Sequence, residues 1–280
     1  MSDDYKAKLR AGSDPLVFFK SDDEPDVSGI ARGHIMAAAI SHALRDGETL
    51  FIGANPLIPF AGARVAQLTH APNLTMIAGA SGGVNPLLDP LAPSSGDYAN
   101  LVAEAVLPFH EVLMMFMGGH GDVFFAGGLQ IDQRGNCNLA TVGNHDKPKL
   151  RGPGSAGIPW ASRARRTILY TTAHTRRVFV PTVDFVSLAG WPSKPEVGST
   201  SRGPELVITP LAVLDFTDDG RMRLVSVHQG VTPQEVAENT SFDLVMPAGE
   251  VPTTPQPTDQ EMRHMRTFDL DGLLSIIIPE

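Results

Sequence analysis

Residues 34–79 read HIMAAAISHALRDGETLFIGANPLIPFAGARVAQLTHAPNLTMIAG, and this stretch decides the fold. Ile35, Met36, Ala39, Ile40, Ala43 and Leu44 recur at helical spacing, so HIMAAAISHALRDG reads as a helix with one apolar stripe. Gly47 stands where a left-handed residue closing that helix is expected. TLFIGAN is a short apolar run of strand length, LIPFAGARVAQLTHA a second helix, and NLTMIAG a second strand. Strand, helix and strand in succession predict an α/β protein with an open, mainly parallel sheet and covering helices.

Working outward, residues 1–30 are weakly apolar and carry KSDDEPD, which predicts a polar, solvated arm ahead of one domain over 31–280. GVNPLLDPLAPSSGD, residues 83–97, is a Pro-rich loop, followed by a helix around 98–106 and the strand DVFFAG at 122–127. QIDQRGNCNLATVG holds a turn at RGN leading into a short strand. Beyond residue 166, β patterns dominate in TILYTT, RVFVPTVDFVS, ELVITPLAVLDF and RLVSVH. Asp219-Gly220 supplies a hairpin turn within LDFTDDGRMRLVSV, while PQEVAEN and DQEMRHMRTF are short helices. The final LLSIIIP is an apolar strip, either a strand or plug packed on its own domain or part of a subunit interface.

Composition excludes several classes. The 280 residues carry 22 Lys+Arg against 31 Asp+Glu, a net charge of −9, which argues against nucleic acid as a partner. The single cysteine, Cys137, excludes a disulfide framework or a thiolate cluster within the chain. The nine histidines show no metal spacing, so no metal site is expected. No apolar run approaches the ~20 residues that span a bilayer, and MSDDYKAKLR has no character of a signal peptide. A cytoplasmic location is the expectation.

Two glycine motifs need weighing. Gly79-Ala80-Ser81-Gly82-Gly83 matches G-x-S-x-G, in which a nucleophilic Ser sits between a strand and a helix. The strand precedes it, but VNPLLDPLAPSS after it has three prolines and opens no helix. A triad would need Asp184 or Asp215 with His228, and nothing singles them out. A tight loop at a strand end is therefore favoured over a nucleophilic Ser81. Gly152-Pro153-Gly154-Ser155-Ala156-Gly157 matches G-x-G-x-x-G, but NHDKPKLR before it is no strand and no acid lies between Asp146 and Asp184. Backbone N–H groups approaching a ligand, with Arg151 beside them, remain the reading of this loop. The Met-rich VLMMFMGG reads as core. Arg163, Arg165, Arg166, Arg176 and Arg177 form a basic cluster that is either a solvated face or an anion contact.

In order and spacing, LRDGETLFIGANPLIPFAGARVAQLTHAPNLTMI, GLQIDQRGNCNLATVG, GPGSAG, TRRVFV, PELVITPLAVLDF, RLVSVHQGVTPQEVAENTSFDL and PTDQEMRHMR resemble the β-subunit of class I CoA-transferases such as glutaconate CoA-transferase. The resemblance covers about residues 34–268 and implies the NagB/RpiA-like fold of that family. One departure matters. The transferase strand ends in a nucleophilic Glu before Ser-Gly, and here Ala80 occupies that position ahead of Ser81-Gly82. A subgroup lacking this Glu, the steroid ring-cleaving CoA hydrolases, resembles the chain further in LPFHEVL, Arg151-Gly152 and TSF. The resemblance implies a heterodimer or heterotetramer with an α-subunit, whose Glu is the base. It also implies hydrolytic C–C cleavage of a cyclic-ketone CoA thioester, with coenzyme A part of the substrate and no separate cofactor.

On this reading Arg151 anchors the substrate or its oxyanion, while Ser81, Gly82, Gly83, Asn85, Gly152, Gly154 and Ser155 contact CoA or substrate. The glycines at 82–83 would admit the acyl group where the transferase Glu would stand. Alternatives are CoA transfer between carboxylic acids, a non-catalytic subunit that only completes the CoA site, and a self-sufficient serine hydrolase.

Overall fold

A computed structural model describes residues 29–53, 57–87, 91–191 and 203–278. The expected arm at 1–30 lies almost wholly outside them. The opening stretch folds as read: helix α1 (Arg32–Ala43), strand β1 (Thr49–Ile52), helix α2 (Leu57–Leu68) and strand β2 (Thr75–Ala78). Leu44, in extended conformation, ends α1, and Gly47 (φ +78°) turns the chain three residues later, so it closes a loop and not the helix.

The edge of the sheet differs from expectation. In place of a helix at 98–106, a short 3-10 turn (Tyr98–Leu101) leads to strand β4 (Ala105–Val106), paired antiparallel with β3 (Gly83–Val84). The cause is the Gly82-Gly83 backbone, which takes partners from this segment: Leu107 N–H donates to Gly82 O and Glu104 N–H to Val84 O. Helix α3 (Phe109–Met117) and strand β5 (Val123–Ala126) follow. Two small hairpins come next, β6 (Gln130–Ile131) with β7 (Cys137–Asn138) and β8 (Thr141–Gly143) with β9 (Pro148–Arg151). A 3-10 segment (Ile158–Arg163) enters strand β10 (Arg166–Tyr170). RVFVPTVDFVS forms no strand. Phe179 within it and Leu188 just after it make isolated bridges to Ile131 and Cys137, and Pro181 has no N–H for a ladder. Strands β11 (Pro204–Ile208), β12 (Ala212–Phe216) and β13 (Met222–Val227) finish the sheet, with Gly220 (φ +76°) in the expected β12–β13 turn. Helices α4 (Pro233–Glu238), α5 (Asp259–Phe268) and α6 (Leu273–Ile276) close the chain.

The nine strands run in the order β13-β12-β11-β10-β5-β1-β2-β3-β4. The five from β11 to β2 are mutually parallel, and both flanks turn antiparallel. Alternate side chains feed two cores. Leu50, Ile52, Met76, Val123 and Phe125 pack with α1, α2, α5 and α6, whereas Phe51, Ile77, Phe124 and Leu169 pack with α3 and the loops after β5. The tail is a helical plug: Leu273, Leu274, Ile277 and Ile278 are buried in the first core, so they pack on their own domain.

The arginine cluster divides because β10 runs through it. At its amino end Arg166 is nine-tenths buried and gives both Nε and Nη2 to the Glu48 carboxylate (2.9 and 2.8 Å) and Nη1 to Glu205. Arg165 pairs with Asp122 (3.1 Å), and Arg163 donates to Met117 O. Arg176 lies past the carboxyl end of β10 and donates to Glu238 O and Thr240 O. Four of the five arginines thus already hold partners, and no single anion-binding face is formed.

Candidate active site

Strand β1 has β2 on one side, reached through α2, and β5 on the other. A sheet whose chain changes direction in this way opens a crevice beyond the carboxyl ends of its strands. A cavity of about 690 Å³ lies there, walled by the residues that follow β1 (Gly53), β2 (Gly79, Ala80), β5 (Gly127, Gly128, Leu129) and β10 (Thr171, Thr172). Its sides are aromatic: Phe51, Phe109, Phe124, Phe125, Trp160 and Tyr170. These rings brace one another, with Phe51 stacked on Phe124 (centroids 4.9 Å) and Phe125 edge-on to Tyr170 (6.5 Å). No Lys, Arg, His, Asp or Glu is among the described lining residues. Burial raises the Tyr170 phenol far above its ordinary value and keeps it neutral.

The residues singled out from sequence fall in several places. Ala80 lines the cavity with an exposed side chain at the end of β2. The GPGSAG loop also lines it, but through Pro153, Ala156 and Gly157 and not through Gly152, Gly154 or Ser155. Gly152 packs on Leu139 O, where a Cβ would stand 2.2 Å away, and Ser155 Oγ donates to Ser187 Oγ (3.1 Å). Gly82 and Gly83 also lie outside the wall. A Cβ on either would stand 1.9 Å from a backbone oxygen, Leu107 O or Asn100 O, so these glycines let the β3–β4 edge close up and do not make room for an acyl group. Asn85 is a brace: its Oδ1 accepts from Met76 N–H and Gln67 Nε2, and its Nδ2 donates to Glu104.

Arg151 ends β9 on the exposed hairpin, outside the cavity wall, and its Nη2 donates to His145 O (3.2 Å). Its side chain is exposed, as are those of Lys149 and Leu150 before it. Ser81 has no base. Its Oγ accepts weakly from Gly83 N–H (3.4 Å), Asp215 is taken by Arg223 (2.6 Å), and Asp184 accepts from Gln130 and Gly143 N–H. His228 is buried between Thr254 Oγ1 and Thr209 O, and burial lowers it to about 4, so the triad is not assembled. Burial pushes the Cys137 thiol up to about 12, which leaves it inert. The Met-rich segment is less core than expected, because Met114 is 69 % and Met117 55 % exposed while Val112 and Phe116 are buried.

Phe109, Trp160, Tyr170 and Thr172 carry no motif that marks them as site residues in the sequence. Their signal is positional: the carboxyl ends of β1, β5 and β10 point to Gly53, Gly127-Gly128 and Thr171-Thr172. No group of three His, Cys, Asp or Glu suited to a metal occurs among the described residues, and no described helix is long and apolar enough to cross a membrane.

Comparison with known proteins agrees with this architecture. The chain is 29% identical over 250 residues to a 3-oxoadipate CoA-transferase subunit of Pseudomonas knackmussii, covering 87% of this chain and 95% of that one. It is 31% identical over 243 residues to the cholesterol ring-cleaving hydrolase IpdB subunit of Rhodococcus jostii, covering 86% and 92%. Glutaconate coenzyme A-transferase from Acidaminococcus fermentans superposes with a TM-score of 0.79 at 26% identity, over 91% of this chain and 100% of that one. The family model for coenzyme A transferase matches residues 34–239, and the chain belongs to that family.

Proposed function

We propose that this chain is the β-subunit of a heteromeric enzyme that hydrolytically cleaves a carbon–carbon bond in a cyclic-ketone CoA thioester. The observation that carries the reading is the cavity: aromatic walls, no charged side chain among the described lining residues, and Ala80 where the transferases of this family hold a carboxylate. Relatives named for 3-oxoadipate and glutaconate handle acids with a second carboxylate. A cavity without a cation would have to desolvate such a group unpaired, at a cost of several kcal/mol. A ring of carbon with a keto oxygen suits it better.

The chemistry needs a base that this cavity lacks, so the partner chain brings a carboxylate to its mouth. Water, deprotonated there, adds to the ring carbonyl. The tetrahedral intermediate collapses, the ring C–C bond breaks, and its electron pair leaves as an enolate that takes back the proton. The product is a ring-opened carboxylic acid still attached to CoA. Incubating the reconstituted heteromer with a cyclic-ketone CoA thioester and no acceptor acid is the test, read by mass spectrometry. Gain of one water with CoA retained supports hydrolysis. CoA transfer that requires an acceptor acid, with a glutamyl-CoA adduct on either chain, supports the transferase alternative and overturns this reading.

A surface suited to the partner adjoins the mouth. Phe109 lines the cavity and is 54 % exposed, and Val106 of β4 and Met114 and Met117 of α3 are exposed apolar side chains. Met114→Lys is expected to weaken assembly with the α-subunit about tenfold while leaving the isolated chain folded, measured by analytical ultracentrifugation. Unchanged assembly would place the interface elsewhere.

We assign Arg151 to the anionic carrier at the rim, because the loop after it lines the cavity while its own guanidinium stays outside. Arg151→Ala should raise KM for the acyl-CoA about fivefold with kcat little changed. A fall in kcat at constant KM would instead restore the oxyanion role expected from sequence.

A further inference from the structure

Four side chains with hydroxyls line the cavity: Ser95, Tyr170, Thr171 and Thr172. Three of them are unavailable to a ligand. Thr171 Oγ1 donates to Ala173 O (3.1 Å) and accepts from Ala173 N–H (3.2 Å). Tyr170 is buried, with its ring edge-on to Phe125, and it is not without a partner. Ser95 is 0 % exposed, with its hydroxyl closed off beneath the surface. Thr172 is half-exposed, stands at the carboxyl end of β10, and has no hydrogen-bond partner among the described residues.

We propose that the Thr172 hydroxyl is the hydrogen-bond donor that orients a carbonyl oxygen of the bound acyl group. This rests on the reading that the cavity takes the acyl part of a CoA thioester. In an apolar cavity a carbonyl that gives up water must find a donor or bear its desolvation, and among the described lining side chains Thr172 is the one with its hydroxyl both accessible and uncommitted. A β-branched residue suits the task, because its χ1 is stiff and holds the hydroxyl in one direction. Two oxygens qualify, the ring ketone and the thioester carbonyl, and both present the same acceptor. Thr172 is thus a specificity-determining residue. It favours acyl groups with an oxygen at the depth of the β10 terminus over plain hydrocarbon acyl groups of equal size.

The test uses the reconstituted heteromer, the variants Thr172→Val and Thr172→Ser, and three probes: cyclohexanone-carboxyl-CoA, cyclohexanecarboxyl-CoA, and the thioether analogue of the first. Binding is read by calorimetry, so turnover is not needed. Thr172→Val, which keeps shape and loses the hydroxyl, should weaken the keto thioester about tenfold. Thr172→Ser should restore most of the affinity. If the same Val variant leaves cyclohexanecarboxyl-CoA unaffected, the ring ketone is the acceptor. If it instead leaves the thioether unaffected, the thioester carbonyl is. Equal losses on all three probes, or no loss on any, overturn the proposal. Discrimination by Thr172 without ring opening would sink the hydrolase reading and keep this one. Ring opening that is indifferent to Thr172→Val would do the reverse.

Discussion

Stability of this protein should fall by about 4 kcal/mol between pH 6.5 and about pH 5, well before its carboxylates titrate. Three buried histidines cause this. His174 sits between Thr209 Oγ1 (2.8 Å) and Thr240 Oγ1 (3.1 Å), stacked on Phe179 at 4.1 Å. Burial, and then the neighbouring His228, lower its pKa to about 3. His228 is lowered to about 4, chiefly by burial, against the opposing pull of its bond to Thr209 O. Unfolded, both titrate near 6.5. With His34, the unfolded chain below that value binds three protons that the folded chain refuses, so the contribution is complete well above pH 6.5 and is lost as pH falls toward 4 and 3. The slope approaches about 1.4 kcal/mol per pH unit for each histidine as the unfolded chain protonates, so each withdraws about 1.5 kcal/mol across the window. Buried His34, lowered to about 4 mainly by desolvation, acts in the same direction. Asp269, raised by burial, opposes them. Glu261 and Asp184 are held below their ordinary values and withdraw stability only at still lower pH. Against a typical total of about 5–15 kcal/mol the loss is large. Urea unfolding at pH 7 and pH 5 measures it, and identical midpoints with identical slopes would refute it. His228→Gln, if it folds, should remove about a third of the pH dependence.

These histidines also show where sequence reading stops. Nothing in the spacing of His174 and His228 indicates that one loop and one strand end bring them together through Thr209. The periodicity of residues 34–79 did indicate its fold, because each helix and strand there is decided by side chains a few positions apart. Strands β10 to β13 were legible for the same reason. The 98–106 segment was not. Its apolar residues suit a helix locally, but the Gly82-Gly83 backbone needs partners and recruits Ala105 and Val106 into an edge ladder. Of the site, Ala80 was legible through the family pattern, and the Gly-rich loop was legible as a loop. Which of its residues face inward was not, because that depends on the pairing of Arg151 with Thr141 far upstream in the hairpin. The aromatic walls come from three strands and two helical segments, an arrangement that no local pattern encodes.

Returning a carboxylate to the end of β2 tests the cavity most directly. Ala80→Glu is expected to lower kcat/KM for a cyclic-ketone CoA thioester by a hundredfold or more, with the chain still folded and assembled. Folding should survive because the Ala80 side chain is exposed at the cavity surface, where a longer one meets space before it meets the core. Activity should not, because the acyl group must then displace water from a carboxylate lying among Phe51, Phe109 and Phe124 with no cation to pair with it. Either the carboxyl takes up a proton at the cost of a raised pKa, or substrate is excluded; a few kcal/mol of either is a factor of a hundred or more. Ala80→Ser, small and neutral, should stay within about threefold of the parent. Thermal unfolding confirms that the variants are native, and steady-state kinetics of the heteromer gives the ratio. Ala80→Glu turning over at the parent rate would mean that the acyl group never occupies this cavity. A glutamyl-CoA adduct on residue 80 of the variant, trapped with hydroxylamine, would carry a different lesson. It would mean that the rest of the transferase geometry is intact, and that the absent carboxylate alone separates this chain from its transferring relatives.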